Sequence, residues 1–201
     1  MNTRLITKFL AITLVAVPAL SMADDLTFDH IGLGNDYTLT YGGHTEGVFV
    51  GSLDFSLNGS KSVFQTYCVD LDHFITNGQT YQVDISKTTS LPSGNAYRNA
   101  GDILAYALKG ATSANADAAL QIAIWKAVYG NSFSLKGVSS TVQSLANTDY
   151  TDGLKDTKGV ATYYKETQNC GQSQIGPVPE PASFAILGVG LMGVFVRRRK
   201  S

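Results

Sequence analysis

The chain has 201 residues, 44% hydrophobic and 15% charged, with 20 Gly and 5 Pro, a composition that fits one ordinary globular domain and excludes collagen-like, disulfide-dense and highly charged disordered chains. The net charge of −1 averages unlike parts: Arg4 and Lys8 lie near one end, Arg197, Arg198, Arg199 and Lys200 at the other, and from Asp24 to Glu180 there are 16 acidic against 9 basic residues, a net of −7. An acidic middle offers no footprint for a phosphate backbone, which argues against nucleic acid as a partner.

Residues 1–23 read as a secretory signal peptide. A basic start (Arg4, Lys8) is followed by an apolar run from Phe9 to Leu20 and then by Ser21-Met22-Ala23 ahead of Asp24-Asp25, the small-x-small pattern that places cleavage between Ala23 and Asp24. The run is about a dozen residues, short of the roughly 20 that a membrane span needs.

Leu26 to Leu33, Tyr37 to Tyr41, Glu46 to Leu57, Ser62 to Leu71 and Thr80 to Ile85 are rich in Thr, Tyr, Phe and β-branched residues and are separated by Gly, Asn and Asp. They read as a run of short antiparallel strands. The period then changes. Ala96, Ala100, Ile103, Leu104, Ala107 and Leu108 recur at three and four, with Ser93 or Asn95 as cap and Gly110 as stop, which predicts an amphipathic helix. A second helix is expected from about Ala116 to Tyr129, ended by Gly130 and apolar nearly all round, hence buried. The two should form a helical hairpin against the sheet. Beyond Asn131 the pattern weakens: Val138 to Ala146 reads as a short helix, Val160 to Lys165 as a strand, and the polar stretch 168–177 as a linker. The fold class expected is α+β, an antiparallel sheet or barrel with an inserted helical hairpin, filling an ectodomain over 24–167.

Pro177-Val178-Pro179-Glu180-Pro181 breaks regular structure, and an apolar helix is expected over 182–196, with a basic stop from Arg197 to Lys200. Such a helix covers about 22 Å against a hydrocarbon core of roughly 30 Å. Its basic tail should stay cytoplasmic, leaving the acidic domain outside. The order of Val178-Pro-Glu-Pro-Ala-Ser-Phe, a Gly-studded apolar stretch and Arg-Arg-Arg-Lys resembles the PEP-CTERM sorting signal, over residues 178–201. The resemblance implies a Gram-negative host and recognition at Pro179, Glu180 and Pro181 by the membrane peptidase exosortase, with only transient anchorage in the inner membrane. Glu180 is then substrate, not catalyst. The open alternative is a permanent single-span anchor.

Gln121 stands between Leu120 and Ile122, with Trp125 one turn on, so its buried amide must find partners or cost about 1–3 kcal/mol. Cys68, mid-strand, is either an inert buried thiol or half of a disulfide with Cys170, the default pairing for two cysteines in an exported chain. Tyr67-Cys68-Val69-Asp70 together with Leu120-Gln121-Ile122-Ala123-Ile124-Trp125 resembles the paired motifs of the thioester domains of bacterial surface adhesins, although Leu120 stands where that family usually carries Thr. The resemblance implies a Cys68–Gln121 thioester in a pocket walled by Tyr67 and Trp125, with a backbone N–H at the start of the second helix stabilising the oxyanion. Such a bond captures one amine per molecule and is not turnover.

His30, His44 and His73 lack metal-ligand spacing, and Asp70-Leu71-Asp72 lacks the Gly and Glu of an EF-hand loop. No metal or cofactor is therefore expected. The leading expectation is a non-enzymatic, exported cell-surface or extracellular-matrix protein, adhesin-like, whose partners are exosortase and exopolysaccharide or amine-bearing surface targets. The rival is a secreted ligand-binding or enzymatic domain with a Cys68–Cys170 disulfide, using Asp70, Asp72 or His73.

Overall fold

The computed structural model describes residues 23–110, 113–156 and 158–177. The signal peptide ahead of Ala23 and the motif and apolar helix from residue 178 onward lie outside these. In chain order the elements are β1 (Asp24–Tyr41), β2 (His44–Leu57), β3 (Val63–Cys68), β4 (Thr80–Lys87), α1 (Ala96–Ala107), α2 (Ala114–Tyr129), β5 (Phe133–Lys136), α3 (Ser140–Gly153), β6 (Ala161–Glu166) and β7 (Gln174–Pro177). The result is a mixed fold with a large antiparallel sheet and packed helices.

The sheet has seven strands in the order β2-β3-β7-β6-β4-β1-β5, and β1 also pairs with β2. That second pairing closes the ladder on itself, leaving β5 attached to the C-terminal half of β1. Length makes this possible: β1 spans 18 residues, so its first part pairs with β4 and its last part with β5. The two expected strands on either side of Gly34 are thus one, bent by irregularities at Phe28/His30 and Ile31/Gly34. Gly34 faces Gly51 across this bend so closely that a Cβ on Gly51 would run into the Leu33 carbonyl. The hairpin to β2 turns on Gly42 and Gly43, both at positive φ (57° and 84°), as a two-residue hairpin turn of the primed type requires.

Both helices of the expected hairpin form, with the boundaries their caps dictate. The Asn95 side chain accepts the Tyr97 and Arg98 N–H groups at the start of α1, and Ser113 accepts Ala116 N–H at the start of α2. Gly130, at φ 60°, ends α2. Helix α2 lies between α1, α3 and the sheet. That position buries Ala118, Ala119, Leu120, Gln121, Ala123, Ile124 and Trp125, as its all-round apolarity predicts. Helix α3 runs further than the expected Val138 to Ala146 and buries only Val142, Ala146 and Gly153, too sparse an apolar stripe to declare its length. Strand β5 was not expected.

The clearest correction falls on the segment read as a linker. Residues 174–177 form β7, inserted between β3 and β6 with Tyr67 opposite Ile175, Cys68 opposite Gln174, and Tyr163 and Tyr164 on the other flank. Gln174 and Ile175 are fully buried. Thr66 Oγ1 donates to Gln174 Oε1 at 3.1 Å, so a polar side chain inside the sheet is carried by a partner 108 residues away.

Candidate functional site

Strand alternation sends Tyr67 and Val69 to one face of β3 and Cys68 to the other. Tyr67 and Val69 pack with Ile103, Leu104, Leu120 and Ile124 of the helices, whereas Cys68 joins Leu53, Phe55 and Trp125. At this point the β2–β3 ladder has ended, its last pair being Leu53 and Thr66. On the opposite side Val69 N–H bonds to Ser173. The N–H and C=O of Cys68 therefore face a gap where a strand would continue. Gln121 fills it: Cys68 N–H donates to Gln121 Oε1 at 2.9 Å, and Gln121 Nε2 donates to the Cys68 carbonyl at 2.8 Å. A side-chain amide from α2 thus replaces a strand, and both of its polar atoms are held by the backbone of Cys68.

The sulfur is turned onto its own loop. Cys68 Sγ donates to the Asp70 carbonyl at 2.8 Å and accepts Asp70 N–H at 3.2 Å. Burial pushes the thiol up to about 12, against which the Asp70 backbone N–H favours the thiolate. The Trp125 indole N–H has no hydrogen-bond partner among the described residues. Tyr129 clamps the loop, accepting Leu71 N–H at 2.9 Å and donating to the Val69 carbonyl at 3.3 Å. Cys68, Gln121 and Trp125 line a cavity of about 250 Å³ that also meets Glu46, Leu71, His73 and Phe74. Phe74 is 64% exposed, which puts the opening of the cavity at an apolar rim.

The structure brings Cys68, Gln121 and Trp125 together and leaves Tyr67 out. Tyr67 lines a separate cavity of about 310 Å³ with Asp117 and Asp149. Burial and then the Asp117 carboxylate raise its phenol. Gln121 Oε1 accepts from the N–H of Cys68, where the strand end lies open, rather than from a backbone N–H at the start of α2. The Cys68–Cys170 disulfide is absent: both thiols are free, Cys68 buried and Cys170 exposed. Cys170 occupies the turn before β7 and points at Glu166, 3.6 Å from Oε1.

The histidines scatter. His30 pairs with Asp54 at 2.9 Å, His44 is exposed at the β2 hairpin, and His73 Nδ1 sits 2.9 Å from Asp70 Oδ2 and 3.1 Å from Oδ1. Asp72 N–H caps Asp70 Oδ1 at 2.9 Å. Among the described residues no group of three His, Cys, Asp or Glu side chains is placed to hold a metal. The sequence reading missed Asp117 and Asp149. Asp117 is 3% exposed with Oδ2 unpartnered, a carboxylate whose position inside an apolar helix run was the available signal.

Residues 177–200 match the PEP-CTERM protein-sorting motif. The chain therefore carries that sorting signal immediately behind β7. No curated protein matches it in sequence. Among solved structures its fold is similar to thioester domains of surface adhesins. One is the N-terminal thioester domain of the fibronectin-binding protein SfbI from Streptococcus pyogenes, at 12% identity and TM-score 0.47, covering 81% of this chain and 97% of that one. A second is the N-terminal domain of the pilus tip adhesin Cpa from the same species, at 16% identity and TM-score 0.49, covering 82% and 97%. A third is the N-terminal thioester domain of a Clostridium perfringens surface protein, at 11% identity and TM-score 0.47, covering 72% and 99%.

Proposed function

We propose that this is an exported, non-enzymatic surface or matrix protein, delivered by its terminal signals and able to attach covalently, once per molecule, through a Cys68–Gln121 thioester. The observation that carries the reading is the pair of hydrogen bonds, 2.9 and 2.8 Å, that fix the Gln121 amide on the backbone of Cys68. Sulfur attack on the amide carbon would build negative charge on Oε1, where the Cys68 N–H already donates, so no reorganisation is needed as the charge develops. The Nε2 side leaves as ammonia. Burial of Cys68 and Gln121, at 4% and 1% exposure, keeps water from the product, while the adjoining cavity gives an amine a route to it. The sorting motif supports delivery: exosortase would act at Pro179-Glu180-Pro181, and the amine-bearing target would be met outside the cell.

Intact-mass measurement of the secreted chain tests the bond. A thioester lowers the mass by about 17 Da, and methylamine then adds about 31 Da at Gln121 and frees one thiol. Cys68→Ala abolishes the loss and Cys170→Ala preserves it. The full calculated mass with two alkylatable thiols would refute the covalent reading.

A further inference from the structure

Strand β2 has more length than its neighbours use. It pairs with β1 from His44 to Leu57, but with β3 only from Leu53 to Ser56. Residues 44–52 therefore have a partner strand on one side alone. The two-residue turn fixes which groups are left over. Its closing pair, Tyr41 and His44, exchanges bonds within the hairpin, and alternation then turns the N–H and C=O of Thr45, Gly47, Phe49 and Gly51 away from β1. The same parity reaches Leu53, whose carbonyl accepts Thr66 Oγ1 on the β3 side. Among the described residues no backbone group of another segment pairs with Thr45, Gly47 or Phe49 on that side.

This free edge leads to Cys68. Continuing the β2–β3 register past Leu53 and Thr66 sets Cys68 level with Gly51, where Gln121 stands in the gap. Phe49, Gly47 and Thr45 follow outward, about 7 Å apart. Gly47, Phe49 and Gly51 line the cavity that holds Cys68 and Gln121, and Thr45 lines an adjoining one of about 570 Å³. Glu46, Leu71 and Phe74 belong to both, so the two form one groove between β2 and the loop after β3. Thr45, Glu46 and Gly47 are exposed and Phe49 is half-buried. The groove is thus open at its outer end and closes on Gln121.

Its chemistry is one-sided. Glu46 and Asp72 supply carboxylates, no lysine or arginine lines it among the described residues, and Leu71 and Phe74 supply apolar wall. A row of unpaired donors and acceptors is matched by extended backbone. Carboxylates beside apolar side chains match a lysine, with its apolar stem and cationic head.

We propose that the target captured at Gln121 is a lysine in an extended polypeptide segment, which adds to the free edge of β2 as an antiparallel strand in the line of β3. The inference rests on the thioester reading for the capture itself. There the lysine nitrogen bonds to the Gln121 side-chain carbonyl carbon, the C–S bond breaks, and the proton that the nitrogen loses ends on the Cys68 sulfur. Every pairing of β2 in this sheet is antiparallel. That direction puts the first residues of the added strand nearest Gln121, where β3 leaves off.

The probes are two acetylated hexapeptides of alternating threonine and valine, one with lysine first and one with lysine last, and methylamine as the amine that needs no strand. Capture by the mature chain is followed by intact mass, and each peptide rate is read against the methylamine rate of the same chain. The lysine-first peptide is expected to react at least about 10-fold faster than methylamine and than the lysine-last peptide at equal concentration. Methylating its backbone nitrogens removes the donors and leaves the amine, and is expected to abolish the advantage. Gly47→Pro is expected to do the same, because it removes an edge N–H at a position where a Cβ meets nothing. Gly47→Ala keeps that N–H and is expected to keep the advantage. Peptide rates no higher than that of methylamine, or an advantage that survives both N-methylation and Gly47→Pro, would overturn the proposal. So would a dimer in sedimentation that Gly47→Pro dissociates, since a second copy would then occupy the edge. In Gln121→Ala, which cannot form the bond, the lysine-first peptide should still slow hydrogen exchange from Thr45 to Phe49. Such slowing beside a wild-type chain at full mass refutes the thioester and upholds the edge. Methylamine uptake with neither slowing nor peptide advantage refutes the edge and upholds the thioester.

Discussion

At the scale of single residues, acid groups placed where water is scarce give this domain a pH signature. Asp149 of α3 has its carboxyl pushed up to about 6 by burial, from 3.8. The folded chain then binds that proton more tightly than the unfolded chain. Its contribution is complete below about pH 4 and is lost as pH rises through 6, so stability falls with pH across that window. Asp117 and Asp102 are raised for the same first cause and act in the same direction. Asp149→Asn is expected to flatten part of the fall and to stabilise the domain at pH 7.5 by about 1 kcal/mol, the shift being discounted for a side chain partly in water. Urea unfolding of both chains at pH 4.5 and 7.5 measures it, and equal differences at the two pH values would refute it. Residue-scale legibility was uneven. Gln121 stood out because a polar amide in an apolar helix run needs a partner, and the motif resemblance set it against Cys68; that the backbone N–H and C=O of Cys68 hold it was not visible. Tyr67 was misplaced although the rule that decides it is local: a neighbour of an inward Cys68 on a strand points the other way.

At the scale of elements, α2 organises the domain. It is wedged between two helices and the sheet, and Trp125, 3% exposed, packs edge-on against Phe133 of β5 at 6.0 Å between ring centroids. Trp125→Ala removes a large ring from a site with few ways to collapse, and is expected to cost about 3–5 kcal/mol in urea unfolding. A loss under about 1 kcal/mol would mean that the helix is not the core element described here. Helices were the legible elements, because cap, apolar spacing and glycine stop all lie within a few residues of one another. Strand β7 was not. Gln-Ile-Gly-Pro has neither length nor alternation to mark it, and it becomes a strand only because β3 and β6 leave a slot with unpaired backbone on both sides.

At the scale of the whole molecule, domain and address meet with no spacer between them. The sorting motif begins at Pro177, which is also the last residue of β7. Truncation therefore has a sharp boundary: a chain ending at Pro177 is expected to fold, as judged by a cooperative thermal transition, and one ending at Gln172 is not. In an exosortase-bearing host the full-length chain is expected at the cell surface or in the matrix, and the chain ending at Pro177 elsewhere. Identical distribution of the two in cell fractionation would refute the sorting role.

The sequence by itself determined the C-terminal address, the two buried helices, the β-rich first half and the identity of Cys68 and Gln121 as the residues to watch. These are properties of short stretches, set by neighbours within a turn of helix, two residues of strand or one linear motif. Tertiary structure alone decided that the ladder closes, that β7 enters its centre, that Cys170 stays apart from Cys68, and that Asp70 sets His73 beside the same cavity. The meeting of Cys68 with Gln121 spans 53 residues. It depends on where the β2–β3 ladder stops and on how α2 lies against that open strand end, which are choices made by long-range backbone pairing and core packing rather than by the local pattern.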